Sequence, residues 1–319
     1  ILDTSVDQIS ADDVWAFQDS NGFPMTGHGT TIAVIDTGVD YTHPDLGGCL
    51  GIGCKVIGGY DFINNDVDPM DDHGHGTHVA ATAAGKGFLN GVAPDAKIIA
   101  YKVLSSSGSG SFSTIIAGIQ RAADPNNDGN TADHVDVATM SLGAACATGG
   151  YSTGCGPLDP MAQAVDAATA AGVVFTIAAG NSGPSASTVQ SPGVAEKAIT
   201  VAAACKPSQA GSGSCVSSPI ASFSSRGPVI YNTINYQKPD ISAPGVLICA
   251  ARWSAWQTNT CFDSSHIRIS GTSMATPHLA GVAALIHQAY PSFTPQQVKD
   301  LIKNTAVPYA GLTYSDQGT

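Results

Sequence analysis

Charge is scarce in this chain, and positive charge scarcest of all. Only 12% of the 319 residues are Asp, Glu, Lys or Arg, and 13 basic side chains stand against 25 acidic ones, a net charge of −12. Binding to a polyanion needs clustered Lys and Arg, so the composition excludes nucleic acid as a partner and disfavours an anionic membrane surface. No run of eighteen or more apolar residues occurs, which excludes an apolar membrane-spanning helix. The start, ILDTSVDQISADDVW, has no basic stretch followed by an apolar one, so a secreted protein would already have lost its signal. Internal repeats and C-x-x-C spacings are also missing.

What is present suits a large core. With 43% hydrophobic residues, the chain reads as one big α/β domain over residues 1–319, and its 36 glycines and 18 prolines are scattered as punctuation between elements. Eight cysteines fall into four near-neighbour pairs: Cys49–Cys54, Cys146–Cys155, Cys205–Cys215 and Cys249–Cys261. Proximity suggests four local disulfides and hence an oxidising, extracellular setting, against the alternative of buried thiols in a cytosolic enzyme.

Local signals repeat the order strand, helix, strand, which means a parallel sheet. A helix start is expected at Ser10 as N-cap, followed by a strand over Thr30–Ile35 that stops at Asp36. After a Gly-rich loop, DDHGHGTHVA leads into an alanine-rich helix. Further strands are expected over Lys97–Leu104, His134–Leu142 and Val173–Ala179, with helices over Ser113–Ala123, capped by Ser113, and Ala162–Ala171. Asp36 and Asn181 both stand at carboxyl ends of strands, where ligands gather in open α/β sheets. Ser273 lies among Gly271, Thr272, Met274 and Ala275, just before the apolar helical pattern LAGVAALIHQAY. It is either a helix-capping serine or a nucleophile whose oxyanion would form beside unpaired N–H groups.

Three histidines, His73, His75 and His78, occupy an H-x-H-x-x-H pattern. One reading is a zinc hydrolase, although Thr77 stands where such sites carry Asp. The other takes His75 as a general base at the mouth of a helix and His78 as a packed structural residue. Asp36 would then orient the imidazole, and Asn181 with the Ser273 amide would bind the oxyanion. A third stretch, DPNNDGNTAD, alternates oxygen side chains like the first half of an EF-hand loop but lacks its closing Glu; Asp124, Asn126, Asp128 and Asp133 are the calcium ligands it offers.

The order Asp36, His75, Ser273 matches neither α/β-hydrolases nor chymotrypsin-like enzymes; it is the subtilisin order. With AVIDTGVDYTHPDL, HGTHVA, MSLG, AAGNSG and SGTSMATPH, the sequence resembles the subtilisin-like serine peptidases over roughly Thr30–Tyr290, and among them the secreted Vpr or bacillopeptidase-like branch. The resemblance implies a three-layer fold with a mainly parallel sheet of about seven strands, secreted endopeptidase activity on polypeptides, an inhibitory propeptide before maturation, and structural calcium. It calls for no organic cofactor, and the chain is expected to be a monomer. By the same resemblance, Gly108-Ser109-Gly110 and Ser141-Leu142-Gly143 should flank an extended peptide, with Phe112 lining the pocket for the fourth residue before the cut. Ala178, Ala179, Gly180 and Ser182 suggest a roomy, uncharged first pocket for apolar or aromatic residues, while Asp71 and Asp72 would favour basic groups nearby. An inactive binding module of the same fold is the remaining alternative, which the intact Asp36, His75, Asn181 and Ser273 oppose.

Departures from the resemblance are also legible. AATAAGKGFLNGVAP is too short for the calcium loop common after the histidine, leaving Asp45 as one ligand without partners. The final TYSDQGT suggests that the natural polypeptide continues.

Overall fold

The structure, a computed structural model, describes residues 2–144, 156–256 and 260–318. Its elements in chain order are α1 (Leu2–Gln8), α2 (Ala11–Val14), β1 (Thr31–Asp36), β2 (Val56–Asp61), α3 (His75–Ala84), β3 (Lys97–Lys102), α4 (Phe112–Ala123), β4 (Val137–Met140), α5 (Pro160–Ala170), β5 (Val174–Ala178), β6 (Ile199–Ala204), β7 (Val229–Tyr231), β8 (Ile234–Tyr236), β9 (Ile241–Pro244), β10 (Ile248–Ala251), β11 (His266–Ile269), α6 (Thr272–Ala289), α7 (Pro295–Thr305) and α8 (Tyr314–Gln317). Seven strands form one parallel sheet in the order β2-β3-β1-β4-β5-β6-β9.

Both faces of this sheet are covered, and β1 shows why. Ile32 and Val34 pack with Val79 of α3 and Met274 and Leu279 of α6, while Ala33 and Ile35 pack with Ile115 and Ile119 of α4 and Met161 and Val165 of α5. A strand apolar at every position suits only such a three-layer arrangement. Helix α6 runs against the sheet, with Met274, Leu279 and Leu285 at most 5% exposed. Burial of each such side chain contributes about 1.5–3 kcal/mol. The strand order turns around β1, which has β3 on one side and β4 on the other, so its carboxyl end opens on the crevice where such sheets bind ligands.

Several local expectations need correction. Ser10 does not cap α2: it has φ 53° and makes no side-chain cap bond. The cap of α4 is Ser111, whose hydroxyl accepts the Thr114 N–H at 3.1 Å, and not Ser113. Strand β4 covers only Val137–Met140 of the expected His134–Leu142. The Gly-rich stretch before α3 contains edge strand β2, where Gly58 and Gly59 blunted the apolar pattern. Disulfides join Cys49–Cys54, Cys205–Cys215 and Cys249–Cys261. The pair Cys146–Cys155 lies outside the described residues. Among the described residues, no helix is long and apolar enough to cross a membrane.

Candidate active site

Asp36 ends β1 and His75 begins α3, and their approach depends on Gly76. A Cβ there would lie 2.1 Å from the Gly38 carbonyl oxygen and 3.2 Å from the Asp36 Cβ, so only glycine lets α3 come this close to the end of β1. His75 Nδ1 lies 2.7 Å from Asp36 Oδ1, which also accepts the Thr37 N–H at 2.8 Å. Asp36 is fully buried, whereas the His75 side chain is 20% exposed toward the cleft. Burial by itself pushes the His75 pKa down, but the Asp36 charge and hydrogen bond, helped by the Asp71 charge, outweigh it and move it above the ordinary imidazole range.

Ser273 is the second residue of α6. Pro277 lies four residues on and has no N–H to give to the Ser273 carbonyl, which instead accepts the Ser141 hydroxyl at 2.7 Å. In return the Ser273 hydroxyl donates to the Ser141 carbonyl at 3.1 Å. The nucleophile candidate thus rests on Ser141, and a rotation about its Cα–Cβ bond has to bring the hydroxyl to His75. Such bonds commonly tighten only when substrate is bound.

Asn181 follows β5 and is exposed. Its Oδ1 is held by the Thr272 N–H and hydroxyl, which fixes the amide so that Nδ2 turns toward Gly271 and Ser273. A Cβ placed on Gly271 would lie 3.7 Å from both Asn181 Nδ2 and Ser273 Cβ. The N–H of Ser273, in the first turn of α6, has no carbonyl one turn back to bond, so two donors border one small space.

Next to this space is a cleft of about 450 Å³ lined by His73, His75, Gly108, Ser109, Gly110, Phe112, Ser141, Leu142 and Gly143, with Thr37 and Leu104 among its other walls. Both expected peptide-flanking segments and Phe112 therefore meet there. Ala178, Gly180 and Ser182 do not line it. Between Gly143 and Gly180 lies the side chain of Gln190, with Oε1 2.9 Å from a Cβ built on Gly143 and 2.7 Å from one built on Gly180. Its Nε2 donates to the Ser182 hydroxyl at 3.2 Å. Gln190 was not singled out from the sequence because it sits in an unpatterned loop, and only the fold brings it between the two backbone strips.

The acidic pair before α3 is engaged within the fold. Asp71 is 1% exposed and saturated with hydrogen bonds, and the Asp72 carboxylate is taken by Lys102 Nζ at 2.6 Å. The three histidines of the zinc reading do not converge: His75 is engaged by Asp36, the His73 and His75 rings are 6.3 Å apart, and His78 Nε2 bonds the Ile248 carbonyl at 3.0 Å. Burial holds the His78 pKa down at about 3, so it stays a neutral structural imidazole.

In the Asp124 loop, oxygen side chains gather on one turn. Asp124 accepts the N–H groups of Asp128 and Gly129, Asn126 accepts that of Asp128, and Asn126 Nδ2 bonds Asp128 Oδ2 at 3.1 Å. Asp133 sits apart in the following 3₁₀ turn, and among the described residues no three acidic, histidine or cysteine side chains converge as a metal set. The fit to calcium is thus limited to Asp124, Asn126 and Asp128. Asp45, the other residue with a metal-ligand resemblance, is instead committed to the Phe88 N–H at 2.8 Å and His266 Nε2 at 2.8 Å.

The chain is 42% identical to the serine protease AprX of Bacillus subtilis (strain 168) over 314 residues, which is 95% of this chain and 66% of AprX. It is 30% identical to the minor extracellular protease Vpr of the same organism, over 96% of this chain and 51% of Vpr. The chain therefore spans roughly half to two-thirds of the length of these relatives. Among solved structures, sphericase matches with a TM-score of 0.71 at 33% identity, covering 95% of this chain and 89% of that one. The model of the subtilase family matches residues 27–318, and the chain belongs to that family.

Proposed function

We propose that the chain is a secreted serine endopeptidase, folded as one catalytic unit over 1–319 and matured from a form with an inhibitory propeptide. The observation that carries this reading is His75, paired with Asp36 at 2.7 Å, lining one cleft with Ser141, on which the Ser273 hydroxyl rests, together with an Asn181 amide whose orientation Thr272 fixes. His75 takes the proton as Ser273 attacks the scissile carbonyl, and the charge of Asp36 stabilises the imidazolium. Asn181 Nδ2 and the Ser273 N–H bind the oxyanion; as it collapses the C–N bond breaks and His75 gives its proton to the leaving amine, and the acyl-enzyme is then hydrolysed by water that the neutral His75 deprotonates. The substrate is an extended polypeptide lying between Gly108–Gly110 and Ser141–Gly143, with Phe112 against its fourth residue before the cut. Its first residue is uncharged and, because Gln190 fills part of that pocket, modest in size.

Secretion is supported by the disulfides and by the extracellular relative Vpr. Calcium at Asp124, Asn126 and Asp128 would act on stability and takes no part in the chemistry. A cleavage profile on a peptide library, run with phenylmethylsulfonyl fluoride and with a chelator, tests the reading. The inhibitor should stop cleavage and label Ser273. Cleavage that survives the inhibitor but stops with the chelator at once would return the three histidines to consideration.

A further inference from the structure

We propose that Asp71 is a positioning residue for the His75–Asp36 pair, its one buried carboxylate tying together the chain segments on both sides of His75 and the residue after Asp36. Asp71 Oδ1 accepts the Thr37 hydroxyl and the N–H groups of His73 and Gly74, all at 2.9 Å. Oδ2 accepts the Thr77 N–H at 2.9 Å and its hydroxyl at 2.6 Å. Helix α3 needs this, because its N-cap is Gly74, which has no side chain to satisfy the first-turn donors. Asp71 caps the helix from outside by taking the Thr77 N–H. Thr37 completes the job by accepting the Gly76 N–H at 2.9 Å.

Thr37 is held from two directions. Its hydroxyl bonds Asp71, and its carbonyl accepts Lys102 Nζ at 2.8 Å, the same ammonium that pairs with Asp72. Its N–H is the second donor on Asp36 Oδ1. The residue that orients Asp36 and the turn that starts with His75 thus share one carboxylate, and the 2.7 Å contact between Asp36 and His75 is set by that sharing.

Burial raises the Asp71 pKa, against hydrogen bonds from Gly74, Thr77 and His73 that favour its charged form, and when ionised the same carboxylate is a second negative charge behind the imidazole. The charged and titratable groups around His75 are Asp36 on β1, Asp71, Asp72 and His73 in the preceding loop, Lys102 on β3, which matches the Asp72 charge, and the neutral His78 one turn along α3. Helix α6 presents the uncharged Ser273. Asp71 is therefore left as the unmatched charge, besides Asp36, that favours the imidazolium.

This inference rests on the peptidase reading, and its test separates the two. In Asp71→Asn the shape is kept, but an acceptor and the charge are lost. The His75 imidazole titration, followed by NMR and assigned by its loss in His75→Gln, should move down by about half a pH unit or more. With it the acid limb of kcat/KM should move to lower pH, and kcat should fall about 10- to 100-fold with KM little changed. Thr37→Val keeps the charge but cuts the tie, so it should lower kcat with the titration unmoved; it also serves where Asp71→Asn does not fold. An unchanged His75 titration in Asp71→Asn, or unchanged kcat in Thr37→Val, overturns the inference. A wild-type chain that cleaves nothing overturns the peptidase reading instead, while the titration still decides the role of Asp71.

Discussion

The side-chain oxygen of Asn181 accepts two hydrogen bonds from Thr272, one from its N–H at 2.9 Å and one from its hydroxyl at 3.0 Å. An amide could otherwise turn either end to the cleft, and these two donors allow only one. Asn181→Ala should therefore lower kcat by about 10²–10³ with KM little changed, a magnitude that comes from subtilisin itself and is carried over by likeness. Thr272→Val keeps the N–H and loses the hydroxyl, so a smaller loss in the same direction is expected. Steady-state kinetics on one peptide checks both, and an unaffected Asn181→Ala would remove Asn181 from the oxyanion site.

Gln190 occupies the space between Gly143 and Gly180. Gln190→Gly should open it, raising kcat/KM for a peptide with Phe before the cut relative to one with Ala by about 10-fold or more. A ratio that does not move would place the first pocket elsewhere.

His266 bridges Asp45 and Asp263, at 2.8 and 2.7 Å, with the His43 ring edge-on at 5.6 Å. Burial lowers its pKa, but the two carboxylates more than compensate, and the net shift is upward. A raised folded-state pKa means that this stabilisation is complete below about 6.5 and is lost as pH rises through the folded value. For Asp45, burial works upward but the His266 and Phe88 bonds win, so its share is present above about 3.9 and lost on acidification. At pH 6, His266→Gln should cost about 3–5 kcal/mol, because it strands a buried carboxylate. Melting curves at pH 6 and pH 9 should show that cost shrinking at the higher pH; an equal cost at both would sink the assignment.

For calcium, chelation should lower the melting temperature of the wild type. At a hundredfold excess over Kd the ion stabilises by about 2.7 kcal/mol. Asp128→Ala should abolish the difference between chelated and calcium-loaded protein. A difference that persists in this variant would assign the ion to other ligands.

Much of the frame was legible in the sequence because its signals are local. Thr31–Asp36 formed as an apolar strand stopping at the acid, and the helix after Ser273 and those near Phe112 and Met161 followed their apolar spacing. Short-range choices with near-equal alternatives went astray, as with Ser111 rather than Ser113 at the cap of α4, where the two hydroxyls are two residues apart and bonded to each other. Strands β6 (ITVAAA) and β9 (ISAP) carried no expectation: each is short and ends in small residues or proline, and they extend the sheet in turn, β6 along the edge of β5 and β9 along the edge of β6.

By itself the sequence determined the order Asp36, His75, Asn181, Ser273 and the type of chemistry those side chains can perform, since nucleophile, base and donor are properties of residue types. Tertiary structure decided what surrounds them. Asp71 lies 35 residues from Asp36 in sequence yet shares Thr37 with it, Gln190 lies 47 residues after Gly143 yet packs on it, and Asp45 meets His266 across 221 residues. Burial and hydrogen-bond saturation turned the acidic residues Asp45 and Asp71 from apparent ligands and substrate contacts into internal partners, because a buried carboxylate must find its donors within the fold.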